Sequence, residues 1–202
     1  MIDAQELPVI DNRAQVWAKG HFLDEEFCSQ IIKVIDNYSV KSTVTKGGER
    51  TVTAHRTSST CYFHKHDAEL TEELEVKIAD VMGIDPQYGE HIQGQKYEPG
   101  QYFKEHTDFF TPNSQTYRAF TQNGGQRTYT IMVYLNTVQE GGETVFPELE
   151  ISVRPVRGLA LIWNNLHRDG NENFHTVHRA QPPKITNKYV LTKWYRKLPF
   201  SK

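Results

Sequence analysis

Cysteine is almost missing from this chain: Cys28 and Cys61 are the two in 202 residues. Two thiols cannot supply the multiple bridges that replace a core in small secreted domains, so a disulfide scaffold is not expected. Net charge is almost missing too, with 23 Lys+Arg against 25 Asp+Glu. No broad field draws such a chain to nucleic acid or to an anionic membrane surface, and neither is expected as a partner. No apolar run approaches the roughly 20 residues that cross a bilayer; IMVYL and LALIW, the longest, have strand length. The first fifteen residues, MIDAQELPVIDNRAQ, lack a basic stretch followed by an apolar one, so a soluble, cytoplasmic protein is expected. Linkers, repeats and low-complexity tracts are also lacking, which makes one domain the expectation.

What is present divides at about residue 88. Upstream, DEEFCSQIIKVIDNY puts Phe27, Ile31, Val34 and Ile35 on one helical stripe behind Asp24, a suitable N-cap. A second helix is predicted from about Ala68 to Met82, where Leu70, Leu74, Ile78 and Val81 recur at helical spacing before Gly83. Its acids, Glu69, Glu72, Glu73, Glu75 and Asp80, are expected to form a solvated face. Residues 1–88 thus form a helical support region. Over residues 89–198 the pattern changes to short aromatic and β-branched segments: HIQGQKY, QYFKEHTDFF, RTYTIMVYLN, ETVFP, LALIW, FHTVH and KYVLTKWY. Many short strands predict a mainly β fold, a sandwich, jelly roll or barrel with the N-terminal helices packed on one sheet. The loops Thr111–Gly125 and Asn164–Asn173 are long enough to carry function.

Nine histidines are more than a core needs. His106-Thr107-Asp108 falls in a predicted strand, whose period of two puts imidazole and carboxylate on one face, within reach of one metal ion. With one more histidine they make the two-His, one-carboxylate triad that leaves Fe(II) open positions. His167-Arg168-Asp169 repeats the triplet, but its Asn- and Gly-rich surroundings predict a turn. His64 and His66 lie at a helix start, where surface roles are expected. The third ligand is His175 or His178; on a strand they point to opposite faces, and spacing to the next strand favours His178. Beyond it, alternation puts Lys188, Val190, Thr192 and Trp194 on one face of KYVLTKWYR. A lysine turned into a metal cavity needs an anionic partner; on composition alone it is a surface lysine.

From about Gly89 to Arg196 the chain resembles the prolyl 4-hydroxylase branch of the Fe(II)/2-oxoglutarate-dependent dioxygenases. The resemblance rests on an ordered series: Tyr97-Glu98-Pro99-Gly100-Gln101, His106-Thr107-Asp108, Gly124-Gly125-Gln126-Arg127, Tyr134-Leu135-Asn136, Gly141-Gly142-Glu143-Thr144, His178, Lys188 and Lys193-Trp194. Upstream it is weaker, at HRTSS near residue 55. It implies a double-stranded β-helix, or jelly-roll core, forming with the helices a single catalytic domain. It also implies that His106, Asp108 and His178 bind iron, that Lys188 pairs with the distal carboxylate of 2-oxoglutarate, and that Tyr97 and Thr144 give that cosubstrate hydroxyl donors. Arg127 and Trp194 match positions lining the peptide side of the pocket, over which the Thr111–Gly125 loop would close.

The implied reaction consumes dioxygen and 2-oxoglutarate, releases succinate and carbon dioxide, and hydroxylates a prolyl residue, with ascorbate as reductant. Fe(II) and Lys188 would balance Asp108 and the doubly charged cosubstrate. The chain departs from the pattern at Phe103, where relatives usually carry Tyr, and in Arg179-Ala180-Gln181-Pro182-Pro183 after the distal histidine. The alternatives are a 2-oxoglutarate dioxygenase acting on a small molecule or a non-proline side chain, and a cupin-like metal- or sugar-binding jelly roll without catalysis.

Overall fold

The computed structural model describes residues 13–46, 49–51, 54–114 and 117–201. Its strands are β1 (Val16–Lys19), β2 (Val40–Lys41), β3 (Val44–Lys46), β4 (Glu49–Thr51), β5 (Ser59–Tyr62), β6 (Gln93–Tyr97), β7 (Phe103–His106), β8 (Arg127–Tyr134), β9 (Thr144–Phe146), β10 (Ile151–Val153), β11 (Ala160–Asn164), β12 (His178–Ala180) and β13 (Lys188–Arg196). The helices are α1 (Glu25–Tyr38), α2 (Ala68–Met82) and α3 (Tyr117–Thr121). A seven-stranded sheet in the order β1-β11-β8-β13-β6-β5-β2 faces a four-stranded sheet, β10-β9-β12-β7, and every strand pair is antiparallel. This is the expected jelly roll, and β3 with β4 forms a separate ribbon.

Both long helices lie where the sequence puts them. Asp24 accepts the Phe27 amide at 2.8 Å and Asp67 accepts that of Leu70 at 3.0 Å, each satisfying an amide the helix itself leaves unpaired. Gly83, at φ +61°, closes α2 in the left-handed conformation. Phe27, Cys28, Ile31 and Ile35 of α1, with Leu70, Leu74, Ile78, Val81 and Met82 of α2, pack on one face of the large sheet. Val34 is only partly buried. Gly94 lets α1 approach, because a Cβ there would stand 2.5 Å from Ile35 Cγ1. The other face of the sheet meets the small sheet through Tyr134, Phe146, Trp163 and Val190.

Strand β13 lies between these two cores, and all nine of its residues are buried. Tyr189, Leu191 and Tyr195 join the helix side, while Lys188, Val190, Thr192 and Trp194 line a cavity on the other. Two-sided burial explains why the strand lacks the polar alternation of a half-exposed one.

Four expectations need correction. The first 88 residues are not only helical, since β1, β2 and β5 extend the large sheet. FHTVH is not a continuous strand. Asn173 accepts the His175 amide and Thr176 Oγ1 donates back to Asn173 O, closing a 3-10 turn over Phe174–Thr176 before β12 starts at His178. Local polar bonds of this kind compete with a ladder. Strand β7 stops at His106, so Asp108 reaches the cavity from the bend beyond it. Glu75 leaves the solvated face of α2 to pair, at 2.8 Å, with the fully buried Lys193. No helix among the described residues is long and apolar enough to cross a membrane.

Candidate metal centre and cosubstrate pocket

Strands β7 and β12 put His106 and His178 directly opposite each other in register, with ring centroids 4.2 Å apart. Asp108 closes the group: Oδ1 lies 3.9 Å from His106 Nε2, and Oδ2 lies 3.9 Å from His178 Nε2. One ligand atom from each residue falls within 4.8 Å of the other two. Each imidazole is held by a backbone carbonyl two residues earlier: His106 Nδ1 lies 2.8 Å from Lys104 O, and His178 Nδ1 lies 3.0 Å from Thr176 O. A carbonyl only accepts, so Nδ1 carries a proton, and in the neutral ring Nε2 then has the lone pair, the tautomer a metal needs. Phe103 stacks on His106 at 3.5 Å, and Trp163 lies edge-on to His178 at 4.9 Å.

The charges suit a cation. Burial pushes the His106 pKa well below the usual histidine value, His178 adds to that, and Asp108 only partly opposes it. His106 therefore stays neutral and able to coordinate. Burial works against ionisation of Asp108, but His178, His106, Arg127 and the Thr130 hydroxyl together outweigh it and hold its pKa below the ordinary carboxylate value. Thr130 Oγ1 donates to Asp108 Oδ2 at 2.7 Å.

The triad opens into a cavity of about 460 Å3, partly continuous with solvent, which Tyr97, Thr144, Lys188 and Trp194 also line. Lys188 is 1% exposed, donates to Gly142 O at 2.8 Å, and rests over the rings of Tyr97 and Tyr134 at 4.9 and 5.7 Å. Among the described residues no carboxylate lies within ion-pair distance of it. Burial lowers its pKa to about 7, with only Glu143 working the other way. A buried ammonium without a counter-charge is unfavourable, and a carboxylate in the cavity supplies one. Thr144, 2% exposed, stands beside it with Oγ1 at 2.7 Å from the Tyr134 hydroxyl. Gly141 and Gly142, at φ +75° and +78°, make the turn that delivers Thr144, and a Cβ on Gly141 would collide with Pro182 O at 2.3 Å. The donor set and the lysine without a counter-charge thus fit a metal ion and an anionic cosubstrate.

The model of the 2OG-Fe(II) oxygenase superfamily matches residues 92–196. The chain belongs to that superfamily. It is 33% identical over 195 residues to the probable prolyl 4-hydroxylase 3 of Arabidopsis thaliana, covering 86% of this chain and 66% of the relative. Against the human prolyl 4-hydroxylase subunit alpha-3 the identity is 31% over 176 residues, covering 86% of this chain and 32% of the subunit. The chain therefore spans just under two thirds of the plant relative and about a third of the human one. In fold it is similar to the viral collagen prolyl hydroxylase of Paramecium Bursaria Chlorella virus-1 in its 2OG complex, with a TM-score of 0.69, 23% identity, and 90% and 95% of the two chains covered. A Pseudomonas putida prolyl-4-hydroxylase gives a TM-score of 0.64 at 16% identity, with 90% and 92% covered. The superfamily's Fe(II) and 2-oxoglutarate agree with the groups that the triad and Lys188 would hold.

Within this superfamily member, most of the residues singled out from sequence share one cavity, and Arg127 does not. It lies one layer behind, forking onto Glu90 at 2.6 and 2.7 Å and carrying the Trp194 ring at 4.1 Å. Arg127 thus reaches the cavity through Trp194 and through its Nη1, 3.3 Å from Asp108 O. His175 sits on the 3-10 turn and His167 in a turn, both outside the cavity lining. The Thr111–Gly125 segment contains α3 and is tied to β13 by Arg196, whose Nη1 donates to Phe120 O and Gly125 O. Sequence reasoning missed Arg56, Gln95, Thr130 and Asn165. Arg56 lies in HRTSS; the other three lack a motif of their own, and only the pairing of distant strands brings them to the site.

Proposed function

We propose that the chain is an Fe(II)- and 2-oxoglutarate-dependent dioxygenase that hydroxylates a prolyl residue in a peptide or protein segment. One observation carries the reading: a His-Asp-His triad, with Asp108 and His178 buried and His106 half-buried, shares its cavity with a buried lysine that has no carboxylate partner. His106, Asp108 and His178 would hold the metal, and Lys188, Thr144 and Tyr97 the far end of the cosubstrate. Bound together, metal and 2-oxoglutarate activate dioxygen for hydroxylation as the oxo acid becomes succinate and carbon dioxide.

The protein's own contribution is to place and to exclude. Lys188 neutralises the distal carboxylate in a site too dry to leave it unpaired. Phe146 and Trp163 pack against the His178 ring, at 5.4 and 4.9 Å, and keep water from its back. Trp194, backed by the Arg127–Glu90 pair, offers a fixed flat ring at the level of Thr130 and Asp108, a surface suited to a pyrrolidine ring in an extended peptide. The prolyl relatives in plants and animals support the peptide substrate. Ascorbate would serve as the external reductant.

The test is incubation with Fe(II), ascorbate and 2-oxoglutarate over a library of proline-containing peptides, read by mass spectrometry. A gain of one oxygen on proline is expected. Oxygen gained by a free amino acid or another small molecule, and by no peptide, would keep the iron site and overturn the prolyl assignment. Metal binding without any succinate would favour a non-catalytic jelly roll.

A further inference from the structure

Thr130 is fully buried, and its hydroxyl carries one proton between two neighbours. Oγ1 lies 2.7 Å from Asp108 Oδ2 and 2.9 Å from the side-chain amide of Asn165. As a metal-ligating carboxylate Asp108 only accepts, so the Thr130 proton goes to it. The second contact must then be a donation to Oγ1, which fixes Asn165 with its nitrogen toward Thr130. The same count leaves Asn165 Oδ1 buried without a partner, an arrangement native cores avoid unless something requires it.

The backbone holds Asn165 in this pose. Its amide donates to Thr128 O at 2.7 Å, and its carbonyl accepts the Asn173 amide at 2.9 Å. Neighbouring asparagines lock the segment further: Asn164 Oδ1 accepts the Gln15 amide, and Asn173 Nδ2 donates to Arg13 O. Residues 164–173, expected from length to be a functional loop, form a clamp behind the triad.

We infer that Asn165 and Thr130 are positioning residues for Asp108. Asn165 imposes a direction on the Thr130 hydroxyl, and that hydroxyl ties Asp108 Oδ2, so the carboxylate meets the metal as an oriented anion with Oδ1 facing His106. A carboxylate tied at one oxygen takes one coordination position and leaves the others for cosubstrate and dioxygen. The inference rests on the metal reading proposed above.

Cobalt(II) titration of the full chain, followed by calorimetry and by visible absorption, tests it without turnover. Wild type should bind one Co(II), and His178→Ala should lose it. Thr130→Val, which keeps the shape and removes the proton, should weaken binding about 10–100-fold and change the cobalt spectrum. Thr130→Ser should restore wild-type behaviour. A packing role predicts the reverse order, with Val tolerated and Ser harmful. Asn165→Asp, of equal size but with no proton to give, should lose at least as much affinity as Thr130→Val; if it does not fold, Asn165→Ala should still weaken binding and alter the spectrum. Unchanged affinity and spectrum in Thr130→Val would overturn this inference and leave the metal reading standing. Cobalt binding that His178→Ala leaves intact would overturn both.

Discussion

The chain holds two H-x-D triplets of opposite character. His106-Thr107-Asp108 ends a strand of the small sheet, while His167-Arg168-Asp169 closes a turn. In the turn the hydrogen bonds are local: the His167 amide donates to Asn171 O, and Asp169 accepts both the amide and the side chain of Asn171. Those bonds lower the Asp169 pKa without help from any distant residue. In the first triplet the bonds of His106 Nδ1 and the Thr107 hydroxyl are local, and the contacts that bring the two ligands to the site are not. His106 is paired in register with His178, 72 positions away in sequence, and Asp108 is tied to Thr130 of another sheet. A triplet becomes a ligand pair when a tertiary structure supplies the third ligand and a partner for the second oxygen.

The comparison breaks most sharply under alanine substitution. His106→Ala, Asp108→Ala and His178→Ala should each abolish metal binding and succinate formation, whereas His167→Ala and His175→Ala should keep most of both. An inactive His175→Ala beside an active His178→Ala would reassign the third ligand. Next in size is Lys188→Ala. Removing one partner of a buried charge pair costs about 2–5 kcal/mol, so 2-oxoglutarate affinity should fall more than tenfold while metal affinity holds. Unchanged 2-oxoglutarate dependence would remove the cosubstrate assignment.

A third effect follows from pH. With a pKa of about 7, Lys188 is already charged at pH 6 and largely neutral at pH 8 in the empty cavity. The dicarboxylate needs the charged form, so binding at pH 8 must take up a proton and affinity must fall as pH rises through 7. Calorimetry in two buffers of different ionisation enthalpy should show uptake approaching one proton at pH 8 and close to none at pH 6. Equal uptake at both would contradict the empty-state neutrality of Lys188. The smallest effect expected is that of Thr144→Val. Losing a hydrogen bond costs about 0.5–1.5 kcal/mol, or 1.5–3 if the acceptor is the charged carboxylate, and should appear as a higher KM for 2-oxoglutarate with the metal unaffected.

Where one element sets the outcome, the sequence was legible. The α1 stripe and its Asp24 cap, the α2 stripe ending at Gly83, and the parity that turns Lys188, Val190, Thr192 and Trp194 to one side all follow from local periodicity. The jelly-roll class and the residues that share the cavity were legible too, through the ordered motifs. What escaped depends on residues far apart. Strands β1 and β5 are short and become strands through pairing with β11 and β6. Glu75 looks like any exposed helix acid until Lys193 of β13 reaches it. Arg127 matched a pocket position, yet Glu90 holds it behind Trp194. The strand-parity argument placed His106 and Asp108 on one face, but the strand stops at His106 and the bend after it performs that task.

Following both products under labelled dioxygen tests most directly whether one cavity couples decarboxylation of 2-oxoglutarate to oxygen insertion into a prolyl peptide. One labelled oxygen is expected in the peptide's hydroxyproline and one in succinate, formed in equal amounts and lost together in His178→Ala. Labelled succinate with no label in any proline-containing peptide would contradict it.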